Sequence, residues 1–310
     1  MPNLKLYDSY LKKQVEVIPA YKSSLKIYSC GPTVYNYQTI GNMRAVWLPD
    51  TVSKVLKMLG LKASWVLNIT DVGHLVGDGD KGGDKIESKA RKEHKKAQEI
   101  VNFYTDDFKK QCASLNFCLP EYKMNPKATD YIQEQMLIAL FLLKKNLAYL
   151  AKDGIYFDWP KARDIFLKNP QKLSKQLKII LEIQEKSRKG SSTKFTGRNI
   201  KSSNKNFGDF ALWKFVQPES LQKWKFEDFE IVKQFIASFP LKGFDQDFDQ
   251  FNQFDQKELQ AKWGCPGWHS ECVAMINSIL GENADLTSKI QLEDIRSTFD
   301  VKNLQKHLPW

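Results

Sequence analysis

Two cysteines far apart in the chain, Cys30 and Cys272, are the residues best suited to chemistry. Cys30 closes an apolar run, Leu25-Lys-Ile-Tyr-Ser, and opens Gly31-Pro-Thr-Val-Tyr-Asn-Tyr-Gln-Thr-Ile-Gly-Asn42. Cys272 lies inside Trp263-Gly-Cys-Pro-Gly-Trp-His-Ser-Glu-Cys-Val-Ala-Met275. Two thiolates joined by a histidine and a carboxylate make a tetrahedral zinc site. His269 and Glu271 are the nearby polar candidates, and Cys265 is a possible extra thiol. On a helix His269 and Cys272 share a face, whereas Glu271 points elsewhere. There is no Cys-x-x-Cys pair, so spacing leaves a second reading open, in which both thiols are simply buried. Gly41-Asn42, at a helix start, can present backbone N–H groups to phosphate.

These residues need elements to hold them. Residues 25–30 read as a strand, Gly41–Leu59 as a helix ended by Gly60, and Ser64–Ile69 as a second, buried strand. The helix offers Val46, Val52, Val55, Leu56 and Leu59 to a core. Strand–helix–strand of this length implies a parallel pair with a right-handed crossover. Ligands in such sheets sit beyond the carboxyl ends of the strands, where Cys30 and Asn68-Ile-Thr-Asp71 fall. A Gly/Asp-rich loop, 72–84, follows. Helical spacing then runs from Ile86 to Leu115 and makes Cys112 a core residue; Cys118, just beyond, has no assigned role. A further helix is expected over Ala128–Leu147, and a turn at Asp153-Gly154 leads into the strand Ile155–Phe157. Residues 186–194 are polar and basic and read as a mobile loop. Phenylalanines recur every three or four residues over 244–254, a pattern that requires no chemistry. Pro266 reads as a helix start, and 286–310 has helix-compatible spacing.

The chain has 310 residues, enough for two domains or one with large inserts, and 42% hydrophobic residues, enough for a core. Lysine plus arginine number 47 against 36 acidic residues, a formal charge of +11. That charge favours polyanions such as RNA, although lysine-rich solvated faces give the same count. No apolar run approaches the ~20 residues of a membrane span. The N-terminus lacks the apolar stretch of a signal peptide. Five thinly spread cysteines argue against a disulfide framework and for a reducing cytosol.

Taken together, the segments resemble cysteinyl-tRNA synthetases, class I aminoacyl-tRNA synthetases. Five segments stand in the family's order. They are Tyr28–Asn36 with Ile40-Gly-Asn-Met-Arg44; Asn68-Ile-Thr-Asp71; Asn125-Pro-Lys-Ala-Thr129; Tyr156-Phe-Asp158 with Asp209–Lys214; and Pro266–Met275. The resemblance spans about residues 3–282 apart from the two inserts. It implies an α/β, Rossmann-like catalytic core with a largely helical connective insertion. The core's first half would be residues 1–119, the insertion 120–206, the second part 207–282 with a low-complexity insert near 216–260, and 283–310 a divergent segment.

The resemblance further implies ATP- and Mg²⁺-dependent activation of cysteine to cysteinyl-adenylate and transfer to tRNA(Cys), by a cytoplasmic monomer active in protein biosynthesis. Cys30 and Cys272 would be two ligands of one Zn²⁺ ion that binds the substrate thiolate. Gly31, Thr33 and Trp268 would contact the cysteine, with Trp268 closing over its side chain. Pro32, Thr33, Tyr35, Ile40, Gly41 and Asn42 would bind ATP, and Thr39 and Asn42 would occupy the catalytic positions of the ATP signature.

The chain departs from the family pattern at Thr39, where the signature has a histidine that stabilises charge on the phosphates. Losing such a donor typically costs ~10²–10³ in rate. The family's remaining zinc ligands and its Lys-Met-Ser-Lys-Ser loop lie downstream of the Cys272 helix, whereas the clear match here ends near Gly281-Glu282. Thr298-Phe-Asp-Val301 and His307-Leu-Pro309 only faintly echo the segment before those ligands, so no zinc role is carried to His307. Lys172-Leu-Ser-Lys175 mimics the lysine-rich loop but precedes Cys272 instead of following it. Little cysteine-dependent ATP–pyrophosphate exchange is therefore expected of these 310 residues alone. Two alternatives accompany this reading: a non-catalytic binding protein of the same fold, and a cysteine ligase acting on a small amine.

Overall fold

In the computed structural model, residues 4–8, 13–17, 24–72, 84–168, 209–238, 256–281 and 286–287 are described. The loop at 73–83, the basic run 186–194 with Lys172–Lys175, the phenylalanine repeat, Thr298–Val301 and His307 lie outside the described residues.

A hairpin, β1 (Lys5–Asp8) with β2 (Lys13–Glu16), precedes the first core unit. Strand β3 (Ser24–Ser29), helix α1 (Ile40–Met58) and β4 (Lys62–Leu67) follow, with β3 and β4 parallel and registered Ser24 to Lys62 through Ser29 to Leu67. This is the expected strand–helix–strand unit, and Gly60, at φ +73°, sits in the turn after α1. The sheet is buried on both faces, as parallel sheets are. Leu25, Ile27, Trp65 and Leu67 share a core with Val46, Val52 and Leu56 of α1, while Tyr28 and Val66 belong to a second core.

The long helix expected over 86–115 is two helices, α2 (Lys85–Glu93) and α3 (Ala97–Ser114). His94 takes a left-handed conformation at φ 53°, and the Lys96 N–H donates to the Glu99 carboxylate as a new first turn begins. The apolar period survives the break because both pieces pack on one core, through Ile86 and Ala90 and then Ile100, Val101, Tyr104, Phe108 and Cys112. Cys112 is buried, as its position on that stripe requires.

The next helix begins as a short 3₁₀ turn, Ala128–Tyr131, and continues as α4 (Ile132–Lys144). Almost all of α4 is buried. It packs against a five-stranded antiparallel sheet in the order β5-β6-β7-β9-β8. These are β5 (Ala148–Ala151), β6 (Gly154–Phe157), β7 (Phe210–Phe215), β8 (Trp224–Lys225) and β9 (Trp263–Pro266). Helix α5 (Trp159–Lys168) follows β6. Helices α6 (Glu230–Ala237) and α7 (Gln256–Ala261) flank the part of the second insert that lies outside the described residues.

Pro266 does not open a helix. It is the last residue of β9, paired with Trp213, and helix α8 (Trp268–Leu280) has Gly267 as its N-cap. Downstream, Leu286–Thr287 forms a short strand, β10, parallel to β3, where the spacing along the sequence suggests a helix. Two residues carry too little periodic signal to reveal a strand that a neighbouring edge imposes. The mixed helices and sheets make the chain α/β, as its sequence implies.

Candidate functional site

The carboxyl ends of β3 and β4 and the start of α8 converge on one place. Ser29 ends β3 fully buried, where its hydroxyl accepts the Trp65 indole N–H at 2.7 Å. Cys30 follows and packs at the border of the core. Its Sγ lies 3.6 Å from Cys272 Sγ on α8, across 242 residues of sequence. That distance is far longer than the ~2.05 Å of a disulfide. It is close to the about 3.8 Å spanned by two thiolates on a tetrahedral zinc at ~2.3 Å each. Among the described residues no third His, Cys, Asp or Glu joins them in a group able to hold a metal. The two thiols fit half of a zinc site.

Of the other candidates, His269 packs at a tilt against Phe210, ring centres 4.4 Å apart, and edge-on to Trp268 at 4.7 Å. Cys265, in β9 opposite Lys214, is buried, and burial pushes its thiol up to about 12. Glu271, which helix geometry turns away from Cys272, is 1% exposed. Burial drives its carboxyl well above the usual range, and the nearby Cys272, Asp71 and Asp84 push the same way against a hydrogen bond from Thr70. Tyr28 lies fully buried beside both thiols. Burial, then Cys272 and Cys30, raise its phenol well above the normal tyrosine value. The site therefore places two buried acids, a carboxyl and a phenol, beside the thiol pair, where burial disfavours the charged form of each. Spacing could not reveal either one, because each is turned inward by packing between elements distant in sequence.

The loop after Cys30 is held by its neighbour strand. Gly31 N–H donates to the Asn68 side-chain oxygen at 2.9 Å, and the Asn68 amide donates to Thr70 Oγ1 at 3.1 Å. Thr70 N–H donates to the Pro32 carbonyl at 3.0 Å, and Val34 N–H to the Thr70 carbonyl at 3.2 Å. The Asn68-Ile-Thr-Asp71 run is thus the splint of the loop. Asp71 in turn accepts from Thr129 N–H at 2.9 Å and Thr129 Oγ1 at 2.6 Å, which attaches the Asn125–Thr129 motif. Tyr35 lies under the Lys85 amine, 5.3 Å from its ring centre.

Thr39 is the N-cap of α1. Its Oγ1 accepts from Asn42 N–H at 3.3 Å and donates to Asn42 Oδ1 at 2.6 Å, while its own N–H donates to Asn42 Oδ1 at 3.0 Å. This reciprocal capping box satisfies helix-start donors that would otherwise be orphaned. The residue that breaks the expected signature thus has a local structural use. Ile40 is 91% exposed, and a Cβ on Gly41 would meet only Thr39 Oγ1 at 3.6 Å, so the first turn faces solvent. Trp268 stands 38% exposed at the start of α8. The structure brings Cys30, Gly31, Thr33 and Cys272 into one neighbourhood through these bonds; His269 and Cys265 do not join the thiol pair in a metal-competent group.

Residues 16–226 match the family of class I (C) tRNA synthetase catalytic domains. The chain is 31% identical over 290 residues to a cysteine–tRNA ligase of Deinococcus radiodurans, covering 92% of this chain and 47% of that protein. It is 32% identical over 288 residues to the one of Bacteroides thetaiotaomicron, covering 91% and 48%. It is 31% identical over 289 residues to the one of Treponema denticola, covering 92% and 48%. The chain spans about half the length of these curated relatives. With more than half of its residues inside the family match and the thiol-bearing strand end within it, this chain belongs to the class I (C) tRNA synthetase catalytic-domain family.

Proposed function

We propose that the site activates cysteine with ATP and Mg²⁺ to cysteinyl-adenylate and passes the cysteinyl group to tRNA(Cys). The observation that carries this reading is the pair of thiols, Cys30 and Cys272, held 3.6 Å apart at the end of β3. They would hold a zinc ion, whose softness favours a thiolate over a serine hydroxyl and so supplies discrimination by direct binding. Additional ligands would come from outside the described residues.

The protein's own groups do the rest. Gly31 and Thr33 would contact the cysteine beside the thiols, and Trp268, partly exposed at the start of α8, would close over its side chain. The loop Pro32–Tyr35 and the solvent-facing start of α1 would receive ATP. Ile40, Gly41 and Asn42 present first-turn backbone to the phosphates there, and the helix dipole favours their charge. Thr39 and Asn42 fix that turn by bonding each other, so their contribution is to preorganise the phosphate site. The division into catalytic halves at 1–119 and 207–282, with a connective insertion at 120–206, belongs to this same reading. The names of the matched relatives support it over a non-catalytic protein or a small-amine ligase.

The test is equilibrium binding of non-hydrolysable cysteinyl- and seryl-adenylate analogues to the zinc-loaded chain by calorimetry. The expected preference for the cysteinyl analogue is at least about a hundredfold, and Cys272→Ser should erase it. Equal affinity for the two analogues, or no binding of either, overturns the proposal.

A further inference from the structure

Beside Ile69, the structure contains a groove of about 330 Å³ between α3 and the segment Lys123–Tyr131. This is within the ~300–1,000 Å³ of small-ligand sites. Lys109 comes from α3, Lys123 from the 3₁₀ turn Tyr122–Met124, and Lys127 from the stretch bridged to Ile69. Among the described residues none of the three ammonium groups makes an ion pair or a hydrogen bond. The acid in the lining is Asp130, and the buried Asp71 acts on Lys127 from outside it, so the lining itself carries three cations and one carboxylate. Like charges gathered around one concavity repel each other and focus a positive potential into it.

A second, independent feature points the same way. Thr105, one helical turn before Lys109, also lines the groove and is 5% exposed, with no partner for its Oγ1. A buried hydroxyl without a partner is a donor in want of an acceptor. Three flexible ammonium groups at the walls form the donor set of a phosphate site, and the Thr105 hydroxyl, covered in the free protein, would join it by turning about χ1 toward the groove.

We propose that this groove binds a phosphate group, held by Lys109, Lys123 and Lys127 and accepting a hydrogen bond from Thr105. It is separate from the thiol site and does not depend on its chemistry. The phosphate would come from a small phosphorylated compound or from an RNA backbone, which the net charge of +11 would draw to the surface.

The experiment titrates the full chain with inorganic phosphate and, separately, with an RNA hairpin over a range of salt concentrations. The Lys109→Gln/Lys123→Gln/Lys127→Gln variant should bind phosphate at least about tenfold more weakly. Thr105→Val should bind it roughly threefold to tenfold more weakly without lowering the thermal midpoint, because in the free protein its hydroxyl has no bond to lose. Thr105→Ser should restore binding, and Cys272→Ser should leave it unchanged. If the source is RNA, hairpin affinity falls in the lysine variant and its salt slope drops by about 0.9 for each backbone phosphate that the variant no longer neutralises. If hairpin binding is unchanged while phosphate binding is lost, the source is a small compound. Phosphate and hairpin binding that are both absent, or both unaltered in the lysine and Thr105→Val variants, overturn the proposal.

Discussion

Gly31→Ala is the substitution that links the backbone most directly to the thiol pair. A Cβ on Gly31 would overlap the Asn68 carbonyl oxygen and stand 2.9 Å from the Asn68 carbonyl carbon and 3.2 Å from Leu67 Cδ1. Ordinary contact begins near 3.4 Å, so the carbon alone demands 3.4 − 2.9 = 0.5 Å of separation, and the oxygen demands more. The loop can yield only by leaving Asn68, which breaks the 2.9 Å bond from Gly31 N–H. Forced overpacking costs roughly 1–3 kcal/mol, and the broken hydrogen bond about 1 kcal/mol more. Together these remove about 2–4 kcal/mol of stability. Cys30 is the adjacent residue, so the same shift carries its Sγ away from Cys272 and should lower metal affinity at least about tenfold. Urea unfolding followed by circular dichroism reads the first effect, and the Co²⁺–thiolate absorption band reads the second. Gly41→Ala is the control: its Cβ would meet nothing nearer than Thr39 Oγ1 at 3.6 Å, and it should gain roughly 0.5–1 kcal/mol from helix propensity. A Gly31→Ala protein with the wild-type urea midpoint and wild-type Co²⁺ affinity would show that the loop and the thiol pair are not coupled in this way.

Four further outcomes are expected. Cys112 and Cys265 are held up to about 12 by burial, against an ordinary 9.0, so at about pH 8 they should resist alkylation while exposed Cys118 reacts, as peptide mapping will show. The sign for stability follows: below pH 9 both thiols are protonated folded or unfolded, and between 9 and 12 the unfolded chain releases protons first, so urea midpoints should fall with rising pH in that window. Thr39→Ala should cost about 1 kcal/mol by removing the cap of α1, and Thr39→Ser should restore most of it, both read from urea midpoints. Asn68→Ala removes a fully buried side chain that accepts from Gly31 and donates to Thr70; it should cost about 2–4 kcal/mol and weaken Co²⁺ binding with it.

The strand–helix–strand unit and the inward face of α3 were legible in the sequence because each rests on a short period: an apolar run bounded by Gly31, a 3.6-residue stripe ending at Gly60, a helical core stripe through Cys112. Family order also picked out Cys30 and Cys272. What the sequence determined by itself were local periodicities and residue types, since those depend on neighbours within a turn or two. The tertiary structure alone decided that the two thiols stand 3.6 Å apart, that Glu271 faces inward, that Pro266 ends a strand and that His94 breaks a helix. Each of these outcomes depends on contacts between distant segments, where a carboxylate's exposure or a proline's partner is fixed by which element packs against it. Three lysines at 109, 123 and 127 show no pattern along the chain; a groove gathers them only once α3 lies beside the Asn125–Thr129 motif.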